Sequence, residues 1–252
     1  PPSIIFVWLF TNLGMSGNAV SWISGAVAIL GGVFLASTDN FLILLGSFSY
    51  VLYHILDYAD GGVARLRKES GMSGQYIDWI MHVISSVAIS SGIFIGALRI
   101  SEGFWLIPFG ILFIVASALQ FSFMALGWWS ICMYYQQNKV NGNSQLIKKE
   151  YPDAKKRSWF DKSIQYSSTI LFHVNYAEFL YPLFALLQIY LSQVNISFPD
   201  FRIILTIFGG TVYFGHNVNE TIKIARYKKL EQAYSKLFNS QQMPDLPADH
   251  FF

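Results

Sequence analysis

Long uncharged segments constrain the fold of this chain more than any other feature of its sequence. No charged residue precedes Asp39, and Asp, Glu, Lys and Arg make up only 13% of the 252 residues, against about 25% in soluble domains. A large soluble helical core would need charged outer faces, which this composition does not supply. Because a helix of about 20 apolar residues crosses a bilayer, the sequence predicts an all-α integral membrane protein. Its six predicted transmembrane helices are 19–37, 41–56, 79–98, 104–131, 170–194 and 203–219.

The positions of Lys and Arg predict the orientation in the membrane. With the N-terminus in the cytoplasm, every Lys and Arg except Arg99 and Arg202 falls in the inside segments 57–76, 132–169 and 220–252, as the positive-inside rule requires. These basic residues flank the predicted helices, and the formal net charge is only +2. We therefore predict no nucleic-acid partner.

Composition divides the chain into three regions. Residues 1–14 are apolar and aromatic but too short to span a bilayer, so we predict an interfacial amphipathic helix there. Residues 15–236 form the predicted six-helix membrane domain, and residues 237–252 form a predicted cytoplasmic tail. The main polar insertion in the domain is 133–163, in which we predict a loop at 138–143.

Two carboxylates follow the second apolar segment. Asp57, Asp60, Gly61, Ala64 and Arg65 are spaced i, i+3, i+4, i+7 and i+8, which places them on one face if the helix continues through them. A charged residue at the centre of a membrane helix costs about 2.5–3.5 kcal/mol on insertion scales. Such carboxylates need a partner, and a metal ion is the natural one.

The start of the third predicted helix adds a second polar face. Asp78 and His82 are spaced i, i+4, and a hairpin through the intervening charged turn brings them opposite the first face. Asp57, Asp60 and Asp78 can then converge on a divalent cation. We predict Mg²⁺ or Mn²⁺, because these cations prefer carboxylate oxygens.

The complete pattern, D-x2-D-G-x2-A-R-x8-G-x3-D-x3-H from Asp57 to His82, resembles the signature of the CDP-alcohol phosphotransferase family. The family pattern ends in aspartate where this chain has His82. Upstream, Gly17 to Ser21 is similar to the Pro-Asn-x-x-Thr sequence of the family, with Gly17 in place of proline.

The resemblance implies a membrane-embedded, metal-dependent transferase that moves a phosphoalcohol group from a CDP-alcohol to an acceptor hydroxyl and releases CMP. The donor is CDP-diacylglycerol or a soluble CDP-alcohol, and the acceptor is a lipid, a small polar alcohol or a glycan. The family further implies a homodimer in a bacterial inner membrane, among membrane lipids, with its site facing the cytoplasm. Asp78 and His82 take the catalytic positions of the signature, and the nucleotide-binding positions are Asn18, Asp57, Gly61, Ala64, Arg65 and Gly74.

The histidine at the last signature position leaves three interpretations open. His82 is the general base of a variant subgroup, since an imidazole with a reference pKa of about 6.5 suits that role near neutral pH. Alternatively it marks lost or altered activity, or it was introduced to trap a substrate complex. A non-catalytic member that binds CDP-lipid or a partner is the alternative function, and an unrelated transporter is a third.

Other polar residues in the predicted helices are weaker candidates. His54 lies one turn before Asp57 and either orients a carboxylate or bonds to a neighbouring backbone. His216, Glu220 and Lys223 share a face near the end of the sixth predicted helix, and we predict that they line the same cavity.

Overall fold

The structure is a computed structural model and describes residues 2–69, 71–101, 103–140, 174–227 and 230. In these residues the chain forms helices and no strands, which confirms the predicted all-helical class. The helices are α1 (Ser3–Asn12), α2 (Gly17–Leu35), α3 (Asn40–Leu66), α4 (Met72–Ser101), α5 (Ile107–Val140), α6 (Val174–Gln193), α7 (Phe201–Phe208) and α8 (Phe214–Tyr227). A short 3₁₀ turn, Phe104–Leu106, precedes α5, and a π-helical turn, Gly209–Tyr213, joins α7 to α8.

Three helices, α2, α3 and α4, are long and apolar enough to cross a membrane. Large apolar side chains on their outer faces are exposed, among them Trp22, Leu30 and Val33 of α2. An apolar exterior of this kind is costly in water and suits a lipid environment. Helices also occupy the positions of the other predicted spans, but the prediction of six transmembrane helices stays a prediction.

Polar caps set where several helices begin. The Ser16 hydroxyl accepts a hydrogen bond from the Ala19 N–H (3.2 Å) at the start of α2. Asp39 Oδ1 accepts bonds from the N–H groups of Phe41 (2.9 Å) and Leu42 (3.0 Å) at the start of α3. These side chains satisfy backbone donors that have no partner within the helix.

The helix ends differ from the sequence predictions in several places, and two of these bear on the site and the polar insertion. The second predicted helix extends to Leu66, so α3 carries the whole first half of the motif as one helix. The loop predicted at 138–143 is wrong in its first part, because α5 continues as regular helix to Val140. The rest of the predicted 133–163 insertion and the predicted 237–252 tail lie outside the described residues.

Glycines bring α2 into close contact with α3 and α4. A methyl group at Gly31 would lie 2.9 Å from the Ser49 Cβ on α3, and one at Gly46 would lie 2.8 Å from the Gly31 carbonyl oxygen. On the other side of α2, a Cβ at Gly32 or Gly92 would overlap the backbone of the facing helix. Small residues of this kind let membrane helices approach closely enough for backbone packing. The three helices therefore form a tight unit that fixes the motif at one end.

A buried arginine holds the opposite end of this unit together. Arg202 is 0% exposed and bonds to both carboxylate oxygens of Asp200 (2.9 and 2.8 Å). Its Nη1 also donates to the carbonyls of Leu35 (2.6 Å) and Ser37 (2.5 Å) at the end of α2. Although burial acts in the opposite direction, the Arg202 guanidinium holds the pKa of Asp200 below its ordinary value.

The N-terminal helix α1 packs on α3 beside the motif. Val7 of α1 occupies the space left by Gly62, and Phe10 is buried against α3. The outward side chains of α1, such as Ile4 and Trp8, are apolar and exposed. Its predicted position at the membrane interface stays a prediction.

Candidate functional site

A cleft of about 480 Å³ opens where α2 begins, α3 ends and α4 begins. Five of the six residues predicted to bind a nucleotide line this cleft, namely Asn18, Gly61, Ala64, Arg65 and Gly74. The sixth, Asp57, is not among its lining residues. Segments that are far apart in the sequence thus form one cavity, large enough for part of a nucleotide substrate.

Small side chains give the cleft its shape. A methyl group at Gly17 would lie 2.7 Å from the Ala64 Cβ, so the glycine at this position lets the start of α2 approach α3. A methyl group at Gly74 would lie 3.3 Å from the Asn18 Oδ1. By contrast, the three atoms nearest to a methyl group at Gly61 all belong to the flexible Arg65 side chain. Gly17 therefore allows helix contact, whereas Gly61 and Gly74 face only the ends of flexible side chains and keep cleft space open.

Asp60 lies on the α2 side of the cleft and is 7% exposed. Its Oδ2 accepts a hydrogen bond of 2.5 Å from the Ser21 hydroxyl, and Ser21 also lines the cleft. A short hydrogen bond to a carboxylate fixes its orientation. The sequence pattern from Gly17 to Ser21 assigned no role to Ser21. This contact gives the serine one, because it orients Asp60.

Asp57, Asp78 and His82 form a compact group next to the cleft. One potential ligand atom from each lies within 4.8 Å of the other two. His82 Nε2 is 3.6 Å from Asp57 Oδ1 and 3.6 Å from Asp78 Oδ1. The predicted metal residues Asp57 and Asp78 are therefore brought together. Asp60 is close enough to repel the carboxylates of Asp57 and Asp78 electrostatically. Its own Oδ2, however, accepts the hydrogen bond from Ser21.

The donor set fits a divalent cation. Asp57 Oδ1 is buried and accepts no hydrogen bond within the described part of the chain, and a buried carboxylate oxygen without a donor is costly. A cation coordinated by Asp57 and Asp78 would compensate this cost and would neutralise the repulsion between them. Oxygen ligands suit Mg²⁺ or Mn²⁺, and an imidazole nitrogen favours transition metals over Mg²⁺.

Tyr53 is a site residue that the sequence analysis missed. Its hydroxyl oxygen lies 2.8 Å from His82 Nδ1, and its side chain is 2% exposed. The signal was present in the sequence, since Tyr53 precedes Asp57 by one helical turn and therefore shares its face.

Two weaker candidates do not reach the cleft. His54 is 1% exposed, and its ring packs against those of Tyr50 (centroids 4.5 Å apart) and Tyr53 (4.6 Å). His216 and Glu220 are not among the described residues that line the cleft, so the prediction that they do is wrong. The side chain of Lys223 lies outside the described part of the chain.

Comparison with known proteins gives no independent family assignment. No protein-family model matches the chain, and no curated protein matches its sequence significantly. The case for a function therefore rests on the residues and geometry of this site.

Proposed function

We propose that the protein is an integral-membrane CDP-alcohol phosphotransferase with its site at the cytoplasmic ends of α2, α3 and α4. One observation carries the proposal: Asp78 belongs both to the lining of the cleft and to the group with Asp57 and His82. The cleft and the candidate cation site thus share a carboxylate. Chemistry at a pyrophosphate requires such an arrangement, because the charge of the reacting phosphates must be neutralised where the nucleotide binds.

The cleft residues suit the nucleotide part of the donor. Arg65 provides a permanent positive charge for phosphate oxygens, and Asn18 provides an amide in the lining of the same cleft. Gly61 also lines the cleft and adds no side chain to it. We therefore place the cytidine over Gly61 and Ala64, with the pyrophosphate directed towards Asp78.

The reaction would be an in-line displacement at the β-phosphorus. The oxygen of the acceptor hydroxyl bonds to phosphorus, the bond from phosphorus to the bridging oxygen breaks, and CMP leaves with the bonding electrons. His82 accepts the hydroxyl proton at Nε2. A divalent cation held by Asp57 and Asp78 would supply charge neutralisation for the phosphate oxygens.

The test is Mg²⁺-dependent release of CMP by the purified protein in lipid. CDP-diacylglycerol and a soluble CDP-alcohol are each supplied with lipid, small-alcohol and glycan acceptors. We expect Asp57→Asn and Asp78→Asn to abolish CMP release, because each removes a carboxylate from the shared site. Asp39→Asn is the matched control, since it makes the same change at the far end of α3 and asparagine caps a helix equally well.

Two results would contradict the proposal in different ways. Full activity of both Asp57→Asn and Asp78→Asn would show that the shared site takes no part in the reaction. No CMP release by the parent, together with metal-dependent CDP binding, would favour the alternative function of a non-catalytic member that binds CDP-lipid or a partner.

A further inference from the structure

Glu69 is a charged cleft residue that the proposed reaction does not use. The described lining of the cleft contains three carboxylates, those of Asp60, Glu69 and Asp78. Asp60 is bonded to Ser21, and Asp78 also belongs to the candidate cation site. Glu69 belongs to neither arrangement. Because like charges repel, a carboxylate outside the cation site suits a part of the nucleotide other than its phosphates.

The turn after α3 fixes the backbone of Glu69 next to Ala64. The Glu69 N–H donates to the Ala64 carbonyl oxygen at 2.9 Å, and the Lys68 N–H donates to that of Arg65 at 3.2 Å. Lys68 has a φ of 56°, in the left-handed region. Together these features form a Schellman motif, which ends a helix and folds the chain back over its last turn. Glu69 therefore lies directly beyond Ala64, over which we have placed the cytidine.

Arg67 restricts the orientation of the Glu69 side chain. Its Nε donates to Glu69 Oε1 at 2.8 Å, and the two side chains are 32% and 38% exposed. An exposed ion pair of this kind contributes little to stability, but it limits the directions in which the carboxylate can point. The second oxygen, Oε2, takes no part in this bond and is left to accept from a ligand in the cleft.

The direction of hydrogen bonding decides which base suits this position. Cytosine presents an amino group at C4, which is a donor, whereas uracil has an accepting carbonyl oxygen there. A carboxylate only accepts, so it bonds to the amine and repels the carbonyl oxygen. Gln75 also lines the cleft, but its amide can donate or accept and suits either base. Glu69 can therefore distinguish the two bases, whereas Gln75 cannot.

We propose that Glu69 is a specificity-determining residue, which accepts a hydrogen bond from the cytosine amino group at Oε2 and so selects cytidine over uridine nucleotides. The inference rests on the proposed function, from which it takes the placement of the nucleotide, and it adds the residue that reads the base. Arg65 and the candidate cation site face phosphates that all nucleotides share, so they do not supply this selectivity.

The test is calorimetric titration of the detergent-purified full chain with CDP and with UDP in the presence of Mg²⁺. The two ligands share ribose and both phosphates and differ in the base. We expect the parent to bind CDP at least about tenfold more tightly than UDP, as a hydrogen bond to a charged group implies. Glu69→Gln should reduce this preference to about threefold or less, because its amide can also donate to the uracil oxygen.

Arg67→Met is the matched control, because it breaks the same ion pair and keeps the carboxylate. It should still bind CDP at least about tenfold more tightly than UDP, since the group that only accepts remains. Both positions are exposed at the end of α3, so both variants should unfold at the temperature of the parent.

Several results would overturn the inference and leave the proposed function standing. These are equal binding of CDP and UDP by the parent, the parent's preference in Glu69→Gln, and an equal loss of preference in Glu69→Gln and Arg67→Met. The last result would assign the effect to the ion pair. A parent that binds neither nucleotide would contradict the nucleotide site of the proposed function and the inference with it.

Discussion

We predict that enlarging Gly61 weakens nucleotide binding without affecting folding. The three atoms nearest to a Cβ at this position are Nη1 (3.3 Å), Nη2 (3.7 Å) and Cζ of Arg65. These atoms form the end of a flexible side chain and can move aside. Gly61→Ala should therefore fold normally, and replacing glycine by alanine within a helix should stabilise it by about 0.5–1 kcal/mol.

Gly61→Leu extends three further carbons into the cleft of about 480 Å³. In our placement these atoms occupy the space of the cytidine, while the close contact of Gly17 with α3 remains intact. We expect CDP to bind at least about tenfold more weakly, which corresponds to about 1.4 kcal/mol. The thermal unfolding temperature should stay close to that of the parent.

The assay is calorimetric titration of detergent-purified protein with CDP in the presence of Mg²⁺, alongside thermal unfolding of the same samples. Gly215→Leu is the matched control, because a Cβ at Gly215 meets no described atom within 4 Å and the position is outside the cleft. If Gly61→Leu bound CDP as tightly as the parent, the cytidine could not lie over Gly61, and the placement of the nucleotide would be wrong.

Three further predictions follow from the same structure. His82→Ala should lower turnover by about 10²–10⁴-fold, the usual contribution of a general base, and His82→Asp should retain substantial activity; a fully active His82→Ala would show that the imidazole is not the base. Arg202→Met should lower the unfolding free energy by about 3–5 kcal/mol, because it leaves Asp200 buried without its partner; equal denaturant midpoints for variant and parent would contradict this. Gly92→Ala should lower the unfolding free energy by about 1–3 kcal/mol, because the added methyl group overpacks α2 against α4. A methyl group at Gly71 meets no described atom within 4 Å, so Gly71→Ala should leave the unfolding free energy unchanged in the same assay.

Local spacing determined the parts of the site that lie on a single helix. The intervals between Asp57 and Arg65 predicted one helical face, and α3 runs unbroken through them. Asp78 and His82 likewise share a face of α4. The apolar lengths predicted membrane-crossing helices for the same reason, since hydrophobic length and helical period are properties of a segment and do not depend on its neighbours.

The polar loop predicted from 138 shows the limit of such local reasoning. Asparagine and lysine there indicated an end to the helix, yet α5 continues to Val140. Residue propensity in a segment is a weak signal, and context overrides it.

Contacts between helices were decided by the tertiary structure alone. Ser21 bonds to Asp60, Tyr53 bonds to His82, and Arg202 bonds to the end of α2 across 167 positions in the sequence. Each contact depends on the rotation and depth at which two helices pack, and those are set by close approaches such as that of Gly31 to Gly46. The sequence shows that small residues are present, but it does not show which helix each one faces. The carboxylates could therefore be found from the sequence, whereas the partners that orient them and His82 required the packed fold.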